Sequence, residues 1–308
     1  MKNILSFKTL AEFLEHFQTE EVCREHFTAI RFANGEYCPH CGHAKIHKFS
    51  DGKRYRCASC KQDFRIQTGT VFGESKLPLK KWFIAIYLLS TSNKGISSVQ
   101  LAKQVGVTQK TGWFMDHRIR SAMKQNGGQL FGVVECDETY VGGKERNKHK
   151  SKQTKSARGR NVQTKMPVFG MRSRTGEVRA KAVPNCKEQL LMGLIAKHVA
   201  KGSTIHTDEM LSYRNLTPMG FPHFTVKHGL RQYKVGECHT NSIESFWALF
   251  KRSYHGIYHW MSPKHMQRYV DESAFRVNRR EEPMNRIFAE VVTNMAQGSK
   301  LPYKELTA

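Results

Sequence analysis

The chain is short of negative charge. Against 50 Lys and Arg stand only 26 Asp and Glu, giving +24 over 308 residues. That deficit sets up a field that favours a polyanion, with nucleic acid the commonest kind, over a membrane surface or mere solubility. Long apolar runs are also missing. The longest, WFIAIYLL from Trp82 to Leu89, is too short to span a bilayer. The N-terminal MKNILSFKTLAEFLEHF has acids where a signal peptide needs an unbroken apolar core, so a cytoplasmic protein is expected. The 39% hydrophobic share is modest, but 10% aromatics excludes wholesale disorder. The length suits one large domain with one or two small ones.

Eight cysteines are present, and four of them form a pattern. Cys38-Pro-His-Cys41 is followed, after 15 residues, by Cys57-Ala-Ser-Cys60. Two such knuckles bring four thiolates to the corners of a tetrahedron around Zn²⁺, and KIHKFSDGKRYRC between them reads as a hairpin turning at Asp51-Gly52. The spacing predicts a zinc ribbon with Cys38, Cys41, Cys57 and Cys60 as ligands; a redox pair is the other reading. His40 and His43 lie beside the first knuckle, but four thiolates already close a structural site. Cys23, Cys136, Cys186 and Cys238 are scattered singly and read as small buried hydrophobes.

Beyond the ribbon the pattern turns helical. An apolar helix is predicted from about Leu79 to Ser90, followed by Val99 to Val105 and Thr108 to about Met123 around a turn at Gly106. Ala102, Gly106 and the flanking Val105 and Val107 permit the close approach of a helix-turn-helix, and Gln109, Lys110, Arg118 and Arg120 on its second helix suit a major groove. An ordinary helical hairpin fits the same pattern.

From Phe131 the period changes to that of strands. FGVVECDETYV alternates up to Gly142-Gly143, MPVFGMRS and EVRAKAV pair across Arg174-Thr175-Gly176, and KEQLLMGLIAKHVAKG is an amphipathic helix closed by Gly202. STIHTDEML and HFTVKH are further strands, and a long helix starts near Asn241. This order is that of a ribonuclease H-like α/β domain, a mixed sheet with flanking helices. Alternation puts Glu135 and Asp137 on one face of the first strand, with Cys136 and Glu138 on the other. Asp208 ends a strand, and Glu244 lies in the first turns of the last helix. Two strand-end aspartates and a helix glutamate can converge on one point, where their hard oxygen ligands suit Mg²⁺ or Mn²⁺ and in-line phosphoryl displacement. Lys251, two helical turns beyond Glu244, is placed to hold a phosphate.

Beside these acids the segment from Lys144 to Arg160 holds eight Lys or Arg, including Lys144, Lys148, Lys150, Lys152, Arg158 and Arg160. Carboxylates that bind metal ions beside a phosphate backbone need such cations to hold the strand. A solvated charged loop is the alternative. Arg252 completes the candidate DNA contacts.

The zinc ribbon, RCASCKQDFRIQTGTVFGESKLPLKKWF, ECDETYVGGK, HTDEMLSY and HTNSIESFWALFKRSYHGIYHWMSPKHMQRYVDESAFRVNRR together resemble bacterial insertion-sequence transposases of the ISXO type, from about Thr19 to Arg280. The resemblance implies a DDE transposase with Asp137, Asp208 and Glu244 at its catalytic positions. Members of the group vary at the third ligand, where an Asn can be assigned, and Asn241 shares the helix face of Glu244; the carboxylate is favoured because it binds Mg²⁺ more strongly than an amide. The implied organisation is an N-terminal helical segment (1–35), a zinc ribbon (36–66), a helix-turn-helix region (76–126), a ribonuclease H-like DDE domain (130–280), and a C-terminal helix and tail (281–308). The implied partners are double-stranded DNA, as terminal inverted repeats and target, and a second protomer or more, at the nucleoid. A catalytically inactive DNA-binding regulator and a nuclease of RNA-containing hybrids are the rivals.

Overall fold

The computed structural model describes residues 6–125, 127–143, 149–152, 165–230, 232 and 234–307. The chain divides into two units, one made of Met1–Met123 with Glu281–Ala308 and the other of Lys124–Arg280.

The first unit opens with two capped helices. The Thr9 hydroxyl accepts from the Glu12 backbone N–H while the Glu12 carboxylate accepts from Thr9, a reciprocal cap that starts α1 (Leu10–His16). Thr19 caps α2 (Glu20–Arg31) in the same way from one side. A three-stranded antiparallel sheet of β1 (Ile46–Lys48), β2 (Arg54–Cys57) and β3 (Asp63–Arg65) follows. Its first hairpin turns at Asp51-Gly52, where Gly52 takes φ +65° and Asp51 accepts from the backbone of Lys53 and Arg54.

Three helices come next: α3 (Leu79–Thr91), α4 (Ser98–Val105) and α5 (Gln109–Ala122). Pro78 gives α3 no side-chain cap, and the Glu20 carboxylate supplies one from α2, accepting from Leu79 and Lys80 at 2.8 and 2.9 Å. Gly106, at φ +68°, ends α4. On α5, Gly112 lies so close to α4 that a Cβ there would sit 2.8 Å from the Ser98 carbonyl and 3.0 Å from Ala102. The helical pair with its tight turn is therefore present as predicted.

The second unit holds β4 (Val133–Val141), β5 (Met166–Ser173), β6 (Val178–Ala182), α6 (Glu188–His198), β7 (Thr204–Thr207), β8 (His223–Thr225), α7 (Asn241–Ser253) and α8 (Met266–Asn278). Its sheet runs β6-β5-β4-β7-β8; β4, β5 and β6 are an antiparallel meander, while β7 lies parallel to β4 and β8 parallel to β7. One core gathers Val134, Cys136, Met171 and Ile205 with Leu191 and Ile195 of α6. The other gathers Val168, Val178 and Ala180 with Ile243, Phe246, Trp247 and Phe250 of α7 and Val270 and Ala274 of α8. The outer edge strand is closed by side-chain amides. Gln125 accepts from Ala180 N–H, Gln267 from Ala182 N–H and Asn278 from Val178 N–H, each at 2.8 Å, so the donors that would template another strand are used.

One predicted boundary is corrected. Helix α6 stops at His198 rather than running to Gly202, because Val199 bridges in parallel to Leu130, and Ala200 donates to the Leu130 carbonyl. Sheet pairing wins over helix propagation there.

The chain then returns to the first unit as α9 (Met284–Gln297) and α10 (Tyr303–Thr307). Phe288 of α9 enters an aromatic core with Phe7, Phe13, Phe17 and Phe83, at ring separations of 5.3 to 5.6 Å. No helix among the described residues is long and apolar enough to cross a membrane.

Candidate functional site

The four ribbon cysteines meet. Their sulfur atoms all lie within 4.8 Å of one another, with Cys38 to Cys60 at 3.7 Å and Cys41 to Cys57 at 3.6 Å. A tetrahedron with Zn–S bonds of about 2.3 Å has edges of about 3.8 Å, so the spacing fits zinc. Two knuckle amides point inward, His40 N–H to Cys38 and Ser59 N–H to Cys57. Burial would raise the Cys57 thiol, but hydrogen bonds from the backbone of Cys60 and Ser59 and from neighbouring thiols bring it down to about 6, towards the thiolate that zinc binds. The scattered cysteines behave otherwise: Cys23, Cys136 and Cys238 are buried and Cys186 is half-buried.

The acids lie in the second unit, on the α7 side of the sheet. Strand alternation holds along β4. Cys136 joins the α6 core, and Glu138 accepts from the buried Tyr213 hydroxyl. Glu135 and Asp137 turn towards α7. Asp137 is raised from 3.8 to about 6, first by burial and then by the charges of Asp208 and Glu244, with the Glu138 backbone and the Trp247 indole acting the other way. Asp137 thus feels the charges of the other two predicted carboxylates, but among the described residues only the four thiols gather as a metal-ligand group; the three carboxylates do not. Asp208, half-exposed after β7, is fixed by accepting from Met210 N–H at 3.0 Å. Glu244 is exposed on α7 and accepts from the Thr240 hydroxyl at 2.8 Å. Asn241, Lys251 and Arg252 are exposed on the same helix.

Opposite Asp137 in the sheet register stands Gly170 of β5. A Cβ there would come within 2.5 Å of the Trp247 ring and 2.9 Å of Ile243. Only glycine lets α7 lie this low over the strand carrying Asp137.

Glu135 has a part that the sequence reading did not assign. Its side chain is 0% exposed; one carboxylate oxygen accepts from Ser242 and Ile243 N–H at 2.8 and 3.0 Å, and the other pairs with Arg174 at 2.9 Å and His239 at 3.2 Å. Thr240 makes no side-chain cap for α7, so a carboxylate 107 residues away in sequence caps it instead. Glu135 thereby fastens the start of the helix bearing Glu244 to the strand bearing Asp137. Its alternation with Asp137 was the available signal.

Glu138 is raised from 4.5 to about 8, by burial above all, with the Tyr213 hydroxyl opposing and Asp137 and Asp208 adding to the rise. It is a proton-holding neighbour of the site at neutral pH.

Two predicted DNA contacts are corrected. Arg118 and Arg120 are 2% and 1% exposed. Arg118 donates to the carbonyls of Leu301 and Gly73 and stacks 4.2 Å from the Phe114 ring centroid, while Arg120 pairs with Asp116. Both sides of α5 are covered, so these cations serve the interior of the first unit. Lys110 stays exposed, 4.9 Å from the Tyr303 ring. Lys150 is exposed, and Lys152 shares its short 3-10 turn; Lys144, Lys148, Arg158 and Arg160 lie outside the described residues.

In this chain a Cys₄ ribbon precedes an α/β unit, and the family models that match the two regions are both transposase domains. The ISXO2-like transposase domain matches residues 129–278, and the transposase zinc-ribbon domain matches residues 18–63. An uncharacterized protein in transposable element ISH50 of Halobacterium salinarum is 32% identical over 261 residues, covering 81% of this chain and 86% of its own. The chain belongs to the ISXO2-like (IS1595) transposase family. Among solved structures, a chain of the simian T-cell lymphotropic virus intasome in complex with PP2A regulatory subunit B56 gamma overlaps at 13% identity and TM-score 0.31, over 59% of this chain and 64% of that one. The Mos1 transposase paired-end complex with the left transposon end overlaps at 13% identity and TM-score 0.26, over 74% and 82%.

Proposed function

We propose that this chain is the active transposase of an insertion sequence, binding the element's terminal inverted repeats as a homodimer or larger assembly and cutting and rejoining DNA. The carrying observation is the placement of Asp137: half-buried on β4 on the face turned to α7, which bears Glu244, and feeling the charges of Glu244 and of Asp208 after the adjacent β7. Strand order and direction support a ribonuclease H-like reading of the second unit. Asp137, Asp208 and Glu244 would hold Mg²⁺ or Mn²⁺, because a half-buried carboxylate within the fields of two others is relieved by a divalent cation. Such ions, when bound, stabilise the attacking and leaving oxygens of an in-line displacement at phosphorus.

In the first step water attacks the phosphodiester at the element end, the P–O3′ bond breaks, and the leaving oxygen takes a proton to become a 3′-hydroxyl. That hydroxyl then attacks a target phosphodiester in the same manner. Lys251 and Arg252 hold backbone phosphates along α7, and Asn241 assists beside Glu244. With Arg118 and Arg120 interior, any DNA reading by α4 and α5 falls to exposed residues such as Lys110. The ribbon and that helical pair recognise the ends, and work on chromosomal DNA places the protein at the nucleoid.

The test is strand cleavage of element-end DNA with Mg²⁺. Glu244→Gln should lower cleavage about as far as Asp137→Asn or Asp208→Asn, and Asn241→Ala should lower it less. Normal cutting by Glu244→Gln with a dead Asn241→Ala would make the asparagine the third ligand. Normal cutting by both aspartate variants would end the catalytic reading.

A further inference from the structure

Past Lys251 and Arg252, α7 leads into a turn of π-helix over Tyr254–Tyr258. The π turn closes with a hydrogen bond from His259 N–H to the Tyr254 carbonyl at 2.7 Å, and the next residue makes an unusual contact. Trp260 N–H donates to the Tyr258 carbonyl, two residues back, at 2.6 Å. Between them His259 has φ +56° and ψ −31°. This is a γ-turn of the strained hand, in a region that side-chain-bearing residues seldom adopt.

The surroundings hold the turn in place. Before it, the Tyr258 hydroxyl donates to both oxygens of the buried Glu272 at 2.8 and 3.0 Å, and its ring meets Tyr269 at 4.9 Å. After it, Met261 is buried in the core beneath α7. The chain is thus anchored on both sides of two exposed residues. Of the four tryptophans, all among the described residues, Trp82 and Trp247 are buried, whereas Trp260 is 63% exposed. A large apolar ring is pushed into solvent by a backbone under strain, which is the pattern of a binding element rather than a packing one.

Its neighbours indicate the partner. Along the chain, Lys251 and Arg252 precede it and Lys264 follows it, all three exposed cations. Along α7 and its extension the order is acid, cations, aromatic ring. From Glu244 to Ser253 the helix covers about 14 Å, so the cations near its end stand about two to three turns from the acid. Exposed cations that can track a phosphate backbone, followed in the chain by an exposed aromatic ring, are the components of the stacking platform by which proteins hold unpaired bases.

We infer that Trp260 stacks on an unpaired DNA base near the reacting end, an inference that rests on the DNA-processing function proposed above. Trp260 holds a strand that is not base-paired, while Lys251 and Arg252 hold phosphates whether or not it is paired.

The experiment compares the full chain with Trp260→Ala and Trp260→Phe, using fluorescence anisotropy on a single-stranded dT oligonucleotide and on a blunt random duplex of equal length across a salt series. Trp260→Ala should bind the dT strand roughly tenfold more weakly, within the range for loss of one base stack. Duplex affinity and the salt slope should be unchanged, since no phosphate contact is lost. Trp260→Phe should recover most of the loss. Equal binding of the dT strand by wild type and Trp260→Ala, with the duplex still bound, overturns this inference alone. Equal losses on both probes also overturn it, because the ring would then serve duplex binding. Failure of the wild type to bind either probe overturns it together with the DNA-processing function.

Discussion

Two clusters of ligating groups in this chain are assembled in opposite ways. The four thiols come from 23 consecutive residues, Cys38 to Cys60, and stand within 4.8 Å of one another on a hairpin scaffold. The three carboxylates come from a strand, a strand end and a helix spread over more than a hundred residues, and the half-buried Asp137 is raised first by burial and then by the charges of the other two. The local cluster is closed and fits a structural ion. The long-range acids stand apart and partly exposed, as the proposed catalytic site would require in order to admit a substrate. Geometry read from spacing suffices for the first, whereas the second depends on every element between its parts.

The sharpest way to separate the two is to remove one ligand from each. Asp137→Asn or Asp208→Asn should lower cleavage by more than about 10²-fold, while zinc content, measured by metal analysis, stays at one per chain. Cys57→Ser should do the reverse. Zinc is lost, the ribbon unfolds because it is too small to fold on apolar burial, and end-DNA binding falls, while circular dichroism still reports a folded second unit.

A smaller effect tests how the long-range cluster is held. Glu135→Gln keeps the shape of the side chain but removes the charge that pairs with Arg174 and caps α7. Loss of a buried ion-pair partner should cost roughly 2–4 kcal/mol in denaturant unfolding. Cleavage should fall with it while the zinc site is untouched.

The smallest effect is one of pH. Without added divalent cation, the native state holds the Asp137 proton more tightly than the unfolded chain does, so this residue's contribution to stability declines as pH rises from 3.8 to about 6. Asp137→Asn should remove that decline and be more stable than wild type at neutral pH by roughly 1–3 kcal/mol, with no difference near pH 3. Mg²⁺ should restore the wild type and leave the variant unchanged. Equal pH profiles for the two proteins would mean that the Asp137 carboxyl is not raised in the folded chain.

The same contrast governs what could be read from the sequence. The zinc site and its Asp51-Gly52 turn were legible because both are local. The facing of Glu135 and Asp137 against Cys136 and Glu138 was legible because a strand has period two. Arg118 and Arg120 were misread. Two residues apart, they point to widely separated sides of α5, and on a lone helix at least one would face water. In the fold, α5 is packed by α9, and Arg118 reaches the Leu301 carbonyl 183 residues away, a covering that no local window contains. The Glu135 cap was hidden for a similar reason. Nothing beside Asn241 announces that its helix is capped from β4.

The place of α9 also has a consequence for how the protein is made. Phe288 completes the aromatic core that Phe7, Phe13 and Phe17 begin, yet it leaves the ribosome 271 to 281 residues after them. The second unit, whose elements all lie between Lys124 and Arg280, can close its own cores before α9 exists. The amino-terminal unit is therefore begun first and finished last. A chain cut short after Arg280 would carry a complete second unit and a first unit lacking Phe288, so whatever the first unit does belongs only to chains synthesised through α9.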